Sequence, residues 1–289
     1  MNTASLINKP TSPFTTSLKQ VLSDKRVSIS LLCLCFTVLF ILLGPFFLPD
    51  YQLQTLENQL QAPSLRHLLG TDDLGRDILS RILKGGQLSL AVGLIATLVS
   101  IVIGTFYGCF SGLTGGKTDL YMMRIVDILY CLPYMFLVII LMTFLGKSIY
   151  VLFLALGLVQ WLTVARIVRG QVLTIKHEDF ILAATALGVT KTMIIFRHLL
   201  PNVAGIVIVY ATLTVPSVIL QESFLSFLGL NVHPCTWGVM ISEGKDYMES
   251  AWWMLLFPGM SLTTCLLCLN FLGDGLRDSL DKKFVTQKQ

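Results

Sequence analysis

A stretch of 29 residues without one charged side chain, residues 88–116, sets the strongest limit on what this chain can fold into. A helix rises about 1.5 Å per residue, so about 20 apolar residues cross the hydrocarbon core of a bilayer. Of the whole chain, 54% is hydrophobic and only 13% is charged, against roughly 25% charged residues in soluble domains. Lipid must therefore cover much of the surface, and we expect an all-α integral membrane protein.

Further apolar stretches predict six transmembrane helices in total. The expected spans are residues 27–49, 88–116, 121–146, 149–165, 203–228 and 252–276. The first is an isolated anchor, and residues 88–276 contain a core of five helices. The remaining segments are a tail at 1–26, a polar segment at 50–87, a loop at 166–202 and a tail at 277–289. Pro133 and Pro216 lie inside spans and are expected to kink them.

The basic residues orient this layout in the membrane. With both termini in the cytoplasm, 15 of the 21 Lys and Arg residues fall on the cytoplasmic side. The reversed layout would invert this bias, so the positive-inside rule selects cytoplasmic termini and places residues 50–87 outside. The charges are spread along membrane boundaries and form no cluster of the kind that binds nucleic acid.

The loop at 166–202 contains a predicted helix–turn–helix over residues 178–202. Good helix formers run from Asp179 to Leu187, and Gly188 follows at a position typical of a left-handed helix terminus. Thr190 can cap a second helix, which we expect to end at Pro201. Small residues on the first helix would let another surface approach closely, which predicts a docking loop.

Charged residues are spaced for ion pairs in two other places. Asp72–Arg76 and Asp77–Arg81 have i,i+4 spacing, which predicts a helix on the outer face; a carboxylate pair for acid–base chemistry or a cation is the alternative. Arg124 and Asp127, with i,i+3 spacing, are expected to pair at the cytoplasmic end of the third span.

Glu222 is the acid that the hydropathy pattern places deepest, toward the outer end of the fifth span. One interpretation is a contact with a passing solute on a translocation path or with an external binding protein. The other is a carboxylate that is hydrogen-bonded to a neighbouring helix or loop near the outer interface.

The sequence contains no convincing catalytic or metal site. Gly116, Lys117 and Thr118 resemble the end of a phosphate-binding loop, but position 111 is Ser and no strand precedes it. Cys265 and Cys268 form one C-x-x-C inside an apolar span, which favours packing over redox or metal chemistry. The four histidines lie in loops or at boundaries, which argues against an intramembrane enzyme. The span centres are almost free of charge, which argues against an ion-driven carrier or channel.

Several stretches resemble one family. The series Leu182, Ala183, Ala184, Gly188, Leu200 and Pro201 resembles the EAA loop of bacterial ABC-importer permeases, with Leu182 where that family has Glu. Residues 67–90 resemble its GTDxxGRDxxSR segment at Gly70, Thr71, Asp72, Gly75, Arg76 and Asp77, with Gln87 where relatives usually have Arg. The stretches 222–230 and 270–281 are also similar. Together these matches extend over roughly residues 65–283 and are closest to the C-type permease of oligopeptide and dipeptide importers.

This resemblance implies a type I ABC-importer permease fold in the bacterial inner membrane. It implies a heterodimer with a homologous B-type permease, two ATP-binding subunits that hold ATP and Mg²⁺, and a periplasmic or surface-anchored substrate-binding protein. The chain itself would hold no cofactor, and its other neighbour would be membrane lipid. The implied cargo is oligopeptides or dipeptides, with nickel chelates or glutathione as alternatives within the same family.

Overall fold

A computed structural model describes residues 24–230, 232–233 and 235–286, and side chains as far as residue 279. Of the predicted tail at residues 1–26, residues 1–23 lie outside the described part. The described residues contain ten α-helices: α1 Lys25–Leu43, α2 Ile78–Thr114, α3 Gly116–Cys131, α4 Tyr134–Leu145, α5 Ile149–Ile175, α6 Asp179–Ala186, α7 Lys191–Ile194, α8 Leu200–Phe227, α9 Trp237–Gly244 and α10 Trp253–Thr286. Within the described residues, β-structure is limited to the isolated bridge between Thr71 and Asp77.

Six crossings of a membrane fit this architecture, as the sequence predicts. Five helical segments are long and apolar enough to span a bilayer, and the number is six if the bent pair of α3 and α4 forms one broken span. The break lies at Pro133, where the two helices meet at 92°. Proline lacks the N–H that an unbroken helix needs, and the result here is a full break where the sequence predicts a kink.

Helix α2 is the centre of the bundle and packs most extensively against α5. Three glycines one turn apart, Gly104, Gly108 and Gly112, face α5, and a Cβ on any of them would lie 2.6–2.9 Å from α5 atoms. This small-residue stripe lets the two backbones approach closely. The helix also begins at Ile78, ten residues before the expected span, because the Asp77 carboxylate caps its first turn.

The two ends of the bundle differ in character. One end carries the 70–77 segment, α9 and the start of α10, and we call it the outer end, following the distribution of basic residues. The other carries Gly115 and the loop between α5 and α8, and we call it the inner end.

The chain runs without interruption from Lys191 to Phe227, which corrects the expected helix end at Pro201. Residues 195–199 form a π-helical turn between α7 and α8. Pro201 lies in the first turn of α8, where its missing N–H and the widened preceding turn are compatible with a continuous helix.

Candidate functional site

The predicted docking loop at residues 178–202, which we call the coupling segment after its resemblance to the EAA loop, is anchored in the bundle on one side. Ile181 is 2% exposed and Ala184 is 7% exposed. Both belong to a buried apolar cluster that also contains Val172 of α5, Cys109 of α2 and Leu199 of the π turn. The short helix α6 is thus tied to three other elements, so its position follows theirs.

A tight turn joins α6 to α7. Gly188 has φ +76°, its N–H donates to the Thr185 carbonyl at 3.0 Å, and the Val189 N–H donates to the Ala184 carbonyl at 3.1 Å. This pair of bonds is the Schellman arrangement, which needs a left-handed residue. The Thr190 side chain then caps α7 by accepting from the Met193 N–H at 3.4 Å. Both local predictions for this turn are confirmed.

The outward side of the segment presents an apolar surface, which we call the apolar loop surface. Its members are Phe180, Leu182, Leu187 and Met193, with exposed fractions from 43% to 83%. Among the six residues of the family pattern, four are exposed, Ala184 is buried in the bundle and Leu200 is half-buried. Exposed are Leu182, Ala183, Gly188 and Pro201. The exposed surface of this segment therefore consists of larger apolar side chains than the two-alanine pattern predicts.

The 70–77 segment at the outer end forms a compact turn around Asp72, which is 1% exposed. The Asp72 carboxylate accepts from the backbone N–H groups of Leu74 and Arg76, and from Arg76 Nε and Arg81 Nη1 at 2.6 Å each. Arg81 also lies 2.8 Å from the Glu243 carboxylate of α9. We call Asp72, Arg76, Arg81 and Glu243 the outer charge cluster.

This cluster corrects one of the predicted pairs. Asp72 and Arg76 do pair, but in a turn rather than in a helix. Asp77 does not pair with Arg81; its carboxylate accepts from the Ser80 N–H at 2.9 Å and lies 3.0 Å from His67 Nδ1. As the cap of α2, Asp77 is engaged with the helix end, and Arg81 points instead to Asp72 and Glu243.

Gly75 and Thr71 fix the shape of the same turn. Gly75 has φ +71°, and a Cβ there would collide with the Thr55 carbonyl oxygen. The Thr71 hydroxyl donates to the Asn58 carbonyl, and the Thr71 carbonyl accepts from Trp253 Nε1 at 3.1 Å. Gly70 lies against the same Trp253 ring. The 70–77 pattern thus joins the polar outer segment to the start of α10.

Glu222 is fully buried, with 0% exposure. Its carboxylate accepts from the hydroxyls of Ser226 at 2.8 Å, Ser89 at 3.4 Å and Ser223 at 3.5 Å. The arrangement matches the hydrogen-bonded alternative, and no part of Glu222 is open to a solute in this conformation. A role in translocation would require α2 and α8 to move apart.

The inner half of the bundle contains two ion pairs that the spacing of charged residues in the sequence does not predict. Arg169 donates to both oxygens of Asp119 at 2.6 Å, and the Ser111 hydroxyl donates to the same carboxylate. Asp127 accepts from Arg166 at 2.9 Å, and not from Arg124 as the i,i+3 spacing predicts. Each pair joins α3 to α5. In the sequence, the only signal for these contacts is that the two spans follow each other along the chain.

The residues that could suggest redox or metal chemistry form no such site among the described residues. Cys265 and Cys268 are buried free thiols in α10. Among the described residues, His, Cys, Asp and Glu form no group of three that could hold a metal ion.

Comparison with known proteins identifies this architecture. Residues 100–286 match the model of the family described as binding-protein-dependent transport system inner membrane component. The oligopeptide transport system permease protein OppC of Haemophilus influenzae is 47% identical over 265 residues, which cover 90% of this chain and 85% of the relative. OppC of Escherichia coli K12 is 47% identical over 270 residues, which cover 92% and 89%. The dipeptide transport system permease protein DppC of Bacillus subtilis is 41% identical over 285 residues, which cover 97% and 89%. The chain is therefore a multi-pass membrane protein that acts as a transport subunit rather than an enzyme, and it belongs to the family of binding-protein-dependent transport system inner membrane components.

Proposed function

We propose that this chain is a permease subunit of an ATP-driven importer of oligopeptides or dipeptides in the bacterial inner membrane. The coupling segment 178–202 is the place where an ATP-binding subunit docks. The observation that carries this proposal is the apolar loop surface on a short helix whose opposite side is fixed in the bundle.

Exposed apolar side chains at this position favour a protein partner. Leu187 is 83% exposed and Leu182 is 52% exposed, in a loop for which the distribution of basic residues predicts a cytoplasmic location. Burial of such area contributes about 25 cal/mol per Å², so a complementary groove would stabilise a complex. Since Ile181 and Ala184 are packed in the core, a push or pull on the segment acts on α2, α5 and α8 together.

The complete importer needs further subunits in this proposal. A homologous B-type permease supplies the other half of the path, two ATP-binding subunits hold ATP and Mg²⁺, and a periplasmic or surface-anchored binding protein delivers the cargo at the outer end. Peptides are favoured as cargo because the relatives are named for oligopeptide and dipeptide transport.

The docking role is tested by co-purification with the ATP-binding subunits. Leu187→Asp places a carboxylate in the apolar loop surface, and we expect it to lower recovery of the ATP-binding subunits at least tenfold. Leu65→Asp is the matched control, because Leu65 is 99% exposed in the outer segment. Equal recovery with both variants would overturn the docking role.

The cargo is tested with the complete importer reconstituted in lipid vesicles, together with the substrate-binding protein that co-purifies with it. ATP-dependent uptake of labelled di- and oligopeptides, with no uptake of a nickel chelate or glutathione, is the expected result. Uptake of either of the last two without peptide uptake would replace the peptide proposal.

A further inference from the structure

A cavity of about 330 Å³ lies at the break between α3 and α4. Its walls come from α3, α4, α5 and α8, and all of its lining residues are uncharged. Five of them carry polar groups: Tyr130, Tyr134, Gln160, Thr163 and Gln221. We call it the break cavity. It lies apart from both the coupling segment and the outer charge cluster.

The Gln221 amide of the break cavity has unused hydrogen-bonding capacity. Gln221 Oε1 is shielded from solvent and has no hydrogen-bond partner among the residues that the structure describes. A buried amide oxygen without a partner costs about 1–3 kcal/mol, and a hydrogen-bond donor that enters the cavity would offset this cost. Gln160 and Thr163 lie three residues apart on the same side of α5 and are half-buried.

This side of the bundle is poorly suited to lipid. Gln160 and Thr163 lie within the predicted span 149–165 and line a cavity that is open toward the surface of the chain. One turn further along α5, Arg166 donates to Asp127 at 2.9 Å, and its guanidinium lies 4.5 Å from the centre of the Tyr130 ring. Arg166 and Asp127 are 44% and 54% exposed. Polar side chains within a span face the bundle interior or a water-filled space, so we expect Gln160 and Thr163 to face such a space in the assembled protein.

We propose that the break cavity is a station for the peptide backbone on the translocation path. Its ligand is a short segment of peptide, held by the Gln160 and Gln221 amides and passed along the track of Thr163, Tyr130 and the Arg166–Asp127 pair toward the inner end. This inference rests on the proposed import of peptides.

The chemistry of the cavity fits that ligand class. A glutamine amide both donates and accepts, as a peptide group does, so the two can pair in either direction and with any sequence. Apolar walls, including Leu137 and Val159, accept varied side chains without selecting a charge. The volume is at the low end of the range of ligand pockets, roughly 300–1,000 Å³, which suits one or two residues of a passing chain.

The first test asks whether the cavity faces water or lipid in the complete importer. Thr163→Cys is treated with a charged, water-soluble thiol reagent in nanodiscs, and modification is read at each cysteine by mass spectrometry. Thr37→Cys on α1 is the control, since Thr37 is also half-buried and its hydroxyl is bonded to its own helix at the Cys33 carbonyl. We expect modification at residue 163 at least tenfold faster than at residue 37, and several-fold slower while peptide is being transported. Equal rates at the two positions would overturn the proposal.

The second test removes the amides. Gln160→Leu and Gln221→Leu are expected to raise the KM for peptide uptake by roughly two- to tenfold each, as the loss of one uncharged hydrogen bond predicts. Recovery of the ATP-binding subunits with each variant should equal that with the wild type, which shows that the importer still assembles. Wild-type KM values in both variants would reject the station while leaving peptide import intact. Absence of peptide uptake by the wild-type importer would instead reject the proposed function.

Discussion

Arg81 Nη1 and the Asp72 carboxylate lie 2.6 Å apart, and these side chains are 2% and 1% exposed. The pair joins the first turn of α2 to the turn at 70–77, and Glu243 extends it to α9. A buried ion pair is strongly destabilised when one member is removed, because the other charge is left without compensation. The outer end of the bundle therefore depends on this contact for its shape.

Arg81→Met tests that dependence. We expect the free energy of unfolding to fall by about 3–5 kcal/mol, seen as a lower unfolding midpoint of the purified protein. Arg166→Met is the matched control, because the Arg166–Asp127 pair is about half exposed and should contribute at most about 1 kcal/mol. Similar midpoints for the two variants would contradict the structural role of the outer charge cluster.

Gly188→Asp should leave the protein inserted in the membrane but uncouple transport. Aspartate tolerates the left-handed backbone better than most residues, and nothing lies within 4 Å of a Cβ at this position, so the loop should keep its fold. A carboxylate at the docking face would be desolvated on contact, and we expect uptake to fall at least about tenfold with normal insertion.

Gly116→Asp serves as its control. Gly116 also has a positive φ, +57°, with open space around it at the inner end, but it lies outside the coupling segment. Normal uptake in Gly188→Asp, or an equal loss in both variants, would count against docking at Gly188.

Glu222 offers a test with two substitutions. Glu222→Gln keeps an oxygen that can accept from Ser226 and Ser89, so we expect stability and uptake close to the wild type. Glu222→Leu leaves these hydroxyls without their acceptor and should cost about 1–3 kcal/mol. Loss of uptake in Glu222→Gln at unchanged unfolding midpoint would favour the translocation-path alternative.

Gly75→Ala should disrupt the outer turn. The left-handed backbone alone costs about 1–2 kcal/mol for a residue with a Cβ, and the collision with the Thr55 carbonyl adds to it. Gly146→Ala is the control, with φ +92° and no atom within 4 Å of the new Cβ. Thermal unfolding should show a larger loss for Gly75→Ala; equal losses would mean that the turn relaxes freely.

Much of the fold follows from composition along the chain. Uncharged stretches predict the spans, and the turn at Gly188 with its cap at Thr190 follows from local residue preferences. Such signals depend only on residues that are close in sequence. A membrane also excludes most alternative folds, because backbone groups in lipid must be hydrogen-bonded within helices.

Contacts between distant residues were not predictable in this way. Glu243 lies 162 positions after Arg81, so no helical spacing relates them. Asp127 has a candidate partner three residues away, yet it pairs with Arg166 across two helices. Pro201 predicts a helix end, and only the π turn before it explains why the helix continues. The break cavity likewise depends on how four helices meet.

The uninterrupted run from Lys191 to Phe227 has a mechanical consequence. Its 37 residues span roughly 55 Å, with the coupling segment at the inner end and Glu222 near the outer end. A rotation of the helix by about five degrees about its inner end would displace its outer end by roughly 5 Å. That distance approaches the thickness of an extended peptide, so in the importer that we propose a small movement of the coupling segment would be transmitted to the outer end on the scale of the cargo.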